Sequence, residues 1–394
     1  MEAVKVGADM EYYRDTFLEI DLDHVYHNVT HLIQHYSSDI TLMAVIKADS
    51  YGHGAIMVAK TLLEAGVRYF AVATLDEAIE LRRAHIKCPI LILGGVRIKD
   101  LKLIRKLNLS IGVHSLTWLE DAMAVYHGKP VRVHLKYDTG MGRLGLTDES
   151  AFTDAADRIR KSAHFDLKGV YSHLATAEET DENYYQYQVD RFEKALEKID
   201  LQGLFVHIGN SAGSLKPKPE HINMVRVGLF INGVKPAKTT PLSFELKPSL
   251  SLYSKLVQVK TVKPRTKLSY NGIYETRETE FIGTIPIGYA DGYDRRLQDG
   301  RVYINGVYCD IVGRICMDYC LVRLPLPFKE GTRVELIGEH VTIDEYAEKI
   351  KTNNYHATCQ FSDRLPRIYL RHGKIIKIVN RRLMARIGGY HELS

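Results

Sequence analysis

The stretch Thr41–Thr74, TLMAVIKADSYGHGAIMVAKTLLEAGVRYFAVAT, runs from an apolar segment ending at Lys47, through a polar turn with two glycines, into helical spacing stopped by Gly66, and then into a second apolar segment ending at Thr74. Strands that are apolar on both faces and alternate with helices belong to parallel sheets covered by those helices. Outward from this stretch the alternation continues through PILILG ending at Gly94, LSIGV at Val113, VRVHLK at Lys136, LKGVYSH at His173, LFVHIG at Gly209 and MVRVGLF at Phe230. The strands then number eight, the count of a closed (β/α)8 barrel. An α/β barrel is expected over residues 12–246, with helices such as the one in NYYQYQVDRFEKALEKI between its strands.

After Leu246 the helical spacing stops and β-type runs follow one another: SLYSKLVQVKTV, FIGTIPIG, RVYINGVYCDIVG, DYCLVRL and RVELIG. Asn305-Gly306 between two such runs predicts a type I′ hairpin, because both central positions of that turn need positive φ. A mostly β C-terminal domain is expected over 247–394, joined by residues 1–11, with one helical interruption from Ile343 to Ile350.

Composition sets the limits of the function. The 394 residues exceed the usual length of one domain, which agrees with two. At 45% apolar and 26% charged residues the chain is an ordinary globular protein, and no apolar run approaches the ~18 residues of a membrane span. The start carries acidic residues and no signal-like block, so a cytoplasmic protein is expected. A net charge of +5 without any basic block does not by itself indicate nucleic acid, and a small anion is the expected partner. Five cysteines are an odd number in a chain this long, which reads as reduced thiols. The spacing of Cys309, Cys316 and Cys320 lacks the short hook of zinc ribbons, so no metal is expected.

Barrels present their reacting groups where the strands end. Lys47, Lys136 and His173 close strands, Ser211 follows the seventh, and Arg226 lies in the eighth. Any one of them alone could be a solvated strand end, but a lysine ending an apolar strand is costly unless it is paired or used. A desolvated lysine among cations becomes a nucleophile toward carbonyls. For Lys47, a Schiff base to pyridoxal 5′-phosphate fits, with the phosphate held by Tyr51, Ser211 and the amides after Arg226 around Gly228. The run TGMGRLG also matches the Gly-x-Gly-x-x-Gly dinucleotide fingerprint at Gly140, Gly142 and Gly145. Its next helix signal comes only after the last glycine, which argues against that use and leaves a rigid loop that aims Arg143.

These motifs are long, and together with RDTFLEIDLDHVYHNV, LSYNGIY, GYADGY, GRICMDY and RLPRI they give the chain, over nearly its whole length, a resemblance to the pyridoxal-phosphate-dependent alanine racemases. The resemblance implies a homodimer whose two subunits share each active site. In it Lys47 is the Schiff-base lysine and one acid/base, and Tyr270 of the other subunit is the second. Arg226 faces the pyridine nitrogen, and His173 links Tyr270 toward Arg226. Arg143 serves the cofactor's phenolic oxygen and the substrate carboxylate. Lys136 is carbamylated and orients Arg143, whereas on its residues alone Lys136 could reach solvent. Tyr289 and Met317 complete the substrate end. D-alanine for cell-wall precursors is the role the family suggests.

Two departures from the family pattern stand out. Asp363 occupies a place where some members have a phosphate-binding tyrosine, and an acid there would repel phosphate. Asn271-Gly272-Ile273 replaces small residues after Tyr270, which bears on substrate range. Racemases of serine, lysine or several amino acids compete with the alanine reading. A one-domain pyridoxal-phosphate carrier would lack the second domain, and the cysteine and acidic motifs of the related decarboxylases are not evident.

Overall fold

The computed structural model describes residues 12–217, 219–235 and 242–383, and they form two compact units. One comprises Val25–Ser50 and Gly54–Lys247; the other takes residues 12–24, Tyr51–His53 and the described chain from Pro248 onward.

The first unit is the expected barrel. Its parallel strands are Thr41–Val45, Tyr69–Val72, Ile90–Ile92, Ser110–Val113, Val131–Lys136, Phe165–Tyr171, Phe205–His207 and Met224–Val227, hydrogen-bonded in chain order, with the eighth paired to the first. The seam between the seventh and eighth is held by Arg226 N donating to Gly209 O at 3.0 Å and Asn223 N donating to Val206 O at 3.2 Å. Inside the barrel Met43, Val45, Ala71, Leu91 and Met224 form a small core of their own, and the larger core lies between sheet and helices. The helices start where capping residues allow. Thr74 Oγ1 accepts from Glu77 N, and Glu77 returns the bond in a capping box, while Ser115 and Asp148 cap the helices Leu116–Val125 and Glu149–Lys161.

The second unit is built on a ten-stranded sheet. The Asn305-Gly306 hairpin forms as expected, with φ of 44° and 93° joining Arg301–Ile304 to Val307–Val312. The helix Ile343–Lys349 appears within the expected interruption, and a second, Asn354–Cys359, follows it.

The start of the barrel differs from expectation. Phe17–Asp21 is not barrel but a strand of the ten-stranded sheet, antiparallel to Leu250–Lys255 and parallel to Arg367–Arg371. Leu18 and Ile20 are fully buried while their neighbours are half-buried. That alternation marks a strand with one covered face, but nothing local says which sheet covers it. The expected pairing of residues 1–11 with this unit lies outside the described residues. Among the described residues no helix is long and apolar enough to cross a membrane, and no group of three or more His, Cys, Asp or Glu is arranged to hold a metal.

Candidate active site

Lys47 follows the first barrel strand by two residues and opens a turn in which Ala48, Asp49, Ser50 and Tyr51 all have φ between 50° and 56°. Four left-handed L-residues in a row are costly, at about 1–2 kcal/mol each, and persist only where partners over-determine the backbone. Those partners are present. Glu77 Oε1 accepts from Ala48 N at 2.8 Å, Asp49 Oδ1 accepts from Ala55 N at 2.8 Å, and Asn232 Nδ2 donates to Ser50 O at 3.2 Å. The carboxylate that caps the helix after the second strand therefore also fixes the turn behind Lys47.

Lys136, the last residue of the fifth strand, is 5% exposed. It does not reach solvent, which overturns that alternative. Its ammonium lies 5.7 Å from the centre of the Tyr171 ring. Burial, then Arg226 and Arg143, bring its pKa down to about 8 against the pull of Asp138. Asp138 is itself engaged. Its carboxylate accepts from Gly140 N at 3.0 Å, Gly142 N at 3.1 Å and Arg143 N at 3.0 Å, so the TGMGRLG loop is wound around one acid. The Arg143 side chain is exposed.

Arg226 is buried, and none of its partners is an acid. It donates to His207 Nδ1 at 2.7 Å, Ser172 O at 2.7 Å, His207 O and Ile208 O at 3.1 Å, and His173 Nδ1 at 3.3 Å. Burial lowers its pKa to about 10, so it stays charged at neutral pH. Because a guanidinium only donates, Nδ1 of His207 must accept and the proton sits on Nε2. His207 Nε2 then donates to His134 Nδ1 at 2.9 Å, which puts the His134 proton on Nε2 as well. Neither ring charges, since burial and Arg226 hold His207 well below its ordinary pKa and His134 at about 3.

His173 gathers the cations. Burial comes first, and then Arg226, Arg143, Lys136 and Lys47 all push its ring toward neutrality. Four residues expected in the site from widely spaced segments thus act electrostatically on one imidazole, and Arg226 touches it at 3.3 Å. Ser211 Oγ accepts from Gly228 N at 3.1 Å, pairing the hydroxyl and amide expected to hold phosphate. Tyr51 ends the left-handed turn, and Gly52, next to it, accepts from Arg367 Nε through its carbonyl at 2.9 Å.

In the second unit three further residues are tied together. Tyr270 opens the short turn Tyr270–Gly272, preceded by Ser269 at φ 63° and followed by Asn271 at φ 62°. Ser269 Oγ donates to Arg314 O at 2.7 Å, and in the same segment the carbonyls of Cys316 and Met317 accept from Tyr289 N at 3.0 Å and Ala290 N at 3.1 Å. Tyr270, Tyr289 and Met317 are 67%, 42% and 52% exposed, a set of large apolar side chains left uncovered on one bonded framework. Beneath them Asp291, fully buried, accepts from Gly288 N at 3.1 Å and from both Arg14 nitrogens at 2.6 Å. Asp363 is held by Arg381 at 3.2 Å and Arg367 at 3.9 Å, so its charge is met by two guanidiniums.

His134, His207, His114, Asp138 and Glu77 were not anticipated. The first two had a readable signal, since a histidine inside an apolar strand needs a partner just as a lysine at its end does. His114, bonded to Leu93 O at 3.0 Å and Tyr171 Oη at 3.2 Å, had none.

Residues 20–236 match the family model described as alanine racemase, N-terminal domain, and 249–369 the model described as alanine racemase, C-terminal domain. The chain is 45% identical over 377 residues to an alanine racemase of Geobacillus stearothermophilus, covering 94% of this chain and 97% of that protein. Its structure resembles that of an alanine racemase from Bacillus anthracis with bound L-Ala-P, with a TM-score of 0.91, 38% identity and coverage of 95% and 100%. A histidine racemase from Leuconostoc mesenteroides subsp. sake shares the fold at a TM-score of 0.84 and 26% identity, with coverage of 92% and 100%.

Proposed function

The chain belongs to the alanine racemase family, and from that premise we propose that it interconverts L- and D-alanine with pyridoxal 5′-phosphate, using Lys47 and the partner subunit's Tyr270 as the two acid/base groups. The observation that carries this reading is the buried Arg226, bonded to His173 at 3.3 Å, with Lys47, Lys136 and Arg143 adding positive charge around the same ring. With Asp138 already taken by three amides, such a site is short of negative charge.

The residues present fit a phosphorylated pyridine aldehyde. Lys47 would hold it covalently, Ser211 Oγ, Gly228 N and Tyr51 would take the phosphate, and Arg226 would donate toward the ring nitrogen. When bound, the cofactor supplies an electron sink for the pair left behind by the departing α-proton. Even without an acid partner the Arg226 guanidinium stays near a pKa of about 10 and keeps its proton at neutral pH, so the ring nitrogen would stay unprotonated and the sink would be weak, which would favour prompt reprotonation over side reactions.

Inversion requires a proton taken from one face and another returned to the opposite face. In one direction the neutral Lys47 amine accepts and the phenol of the partner's Tyr270 donates; in the other the roles reverse, and exchange with water resets the pair. The exposed set Tyr270, Tyr289 and Met317 is what a surface completed by a second subunit presents, and this supports the shared-site homodimer. Lys136 would carry a carbamate. Its neutral amine attacks carbon dioxide, the N–C bond forms, one proton leaves to water, and the resulting anion answers Arg143.

A D/L assay over alanine, serine, lysine and histidine tests the reading. Alanine should be turned over fastest, and no racemisation of alanine would sink the proposal. Borohydride should fix the cofactor on Lys47; a label found on another lysine would remove that residue from its role.

A further inference from the structure

At the end of the barrel where the strands begin, opposite Lys47 and Lys136, a cavity of about 270 Å³ opens among the first residues of several strands. Its walls are apolar and aromatic, with Met43 and Leu91 from the inner core and Tyr69 edge-on to Phe205 at 5.0 Å. Ser110, His134, Arg132 and Lys168 bring polar side chains to its lining. Ser110 is 7% exposed and His134 is 4% exposed, each more than nine-tenths buried. Arg132 stands at the rim.

Ser110 Oγ, His134 Nε2 and the Arg132 guanidinium have no hydrogen-bond or ion-pair partner among the described residues. His134 can only donate from Nε2, because its Nδ1 already accepts from His207 in the chain that starts at Arg226. Lys168 adds a second cation at the rim, paired with Asp166 at 2.9 Å, and Asp166 in turn lies opposite Arg132 in the strand register. Donors that face a hollow instead of protein acceptors are free to serve a ligand there. For size, an apolar cavity of about 150 Å³ already holds benzene, so this one has room for a ring and a carboxylate.

We propose that this N-terminal mouth of the barrel is a second ligand site, separate from the racemase centre, for a small monocarboxylate with a ring-sized apolar body. The ring lies against Met43, Leu91 and the Tyr69–Phe205 pair, and the carboxylate accepts from Arg132, Ser110 Oγ and His134 Nε2. The racemase assignment does not enter this inference, so either can fail without the other.

Benzoate titrated calorimetrically into the holoenzyme tests it. Saturable binding at one site per chain is expected, weakened about tenfold or more by Arg132→Ala, since a charge-assisted contact is lost, and unchanged by Arg143→Ala. Benzyl alcohol, which keeps the ring and lacks the charge, should bind about tenfold more weakly to the unaltered protein; this comparison needs no variant to fold. Absence of saturable binding, equal binding of benzyl alcohol, or a loss that follows Arg143→Ala instead of Arg132→Ala would each overturn the proposal.

Discussion

Lys136 is a lysine whose surroundings work against its own charge. It is buried, Arg226 and Arg143 repel it, and its pKa falls to about 8. Part of the population is therefore a free amine near neutral pH, the form that captures carbon dioxide. Carbon-13 bicarbonate should label Lys136, and at a fixed level of dissolved carbon dioxide the label should grow as pH rises through about 8. An unlabelled Lys136 throughout that range in active enzyme would disprove the carbamate. Lys136→Ala should lower turnover on the order of a hundredfold, the scale of a misplaced contact in an active site, with partial rescue by acetate.

The glycine-rich loop and the tyrosine turn are elements whose backbone is dictated by one or two side chains. Burial works to raise the pKa of Asp138, but the amides of Gly140, Gly142 and Arg143, with Lys136, outweigh it and hold it below the ordinary carboxylate value. A carboxyl depressed in the folded state contributes stability at pH above its unfolded pKa, near ~3.9, and that contribution is lost as pH falls through the folded value. Asp138→Ala should leave three amides to find water and cost about 1–3 kcal/mol, read as a lower melting temperature, with a raised KM for alanine because Arg143 is no longer aimed. Unchanged KM would mean that the loop does not position Arg143. In the tyrosine turn, Gly272 has φ +56° and a Cβ there would come within 2.9 Å of the Lys267 side chain. Gly272→Ala should cost about 1–2 kcal/mol from the left-handed backbone alone and reduce kcat by shifting Tyr270. Wild-type kcat in the variant would show that Tyr270 tolerates movement of its turn.

For the whole molecule, the consequence of the proposed shared site is complementation between inactive subunits. Lys47→Ala and Tyr270→Ala chains should each be inactive, yet a mixed dimer pairs one intact lysine with one intact tyrosine. With free exchange about half the dimers are mixed, each with one of its two sites alive, so roughly a quarter of the unaltered activity should return from the symmetry alone. Demonstrated exchange without recovered activity would mean that Lys47 and Tyr270 of one chain serve the same site.

Periodicity was enough to place all eight barrel strands, because strands buried on both faces must be apolar throughout and the helices between them must start at caps and stop at glycines. Motif length was enough to assign the family, while the strand ends nominated Lys47, Lys136, His173, Ser211 and Arg226, and the glycine loop nominated Arg143, as candidates. What these residues do to one another was not legible. That Phe17–Asp21 joins the ten-stranded sheet, that Glu77 braces the turn behind Lys47, that Asp138 winds the glycine loop, and that Arg226 fixes the protons of His207 and His134 are contacts between segments whose separation in sequence carries no signal. A residue's polarity and spacing are local properties, so they can be read from the chain. Its pKa, tautomer and backbone strain depend on what the fold packs around it, and those were decided only by the tertiary structure.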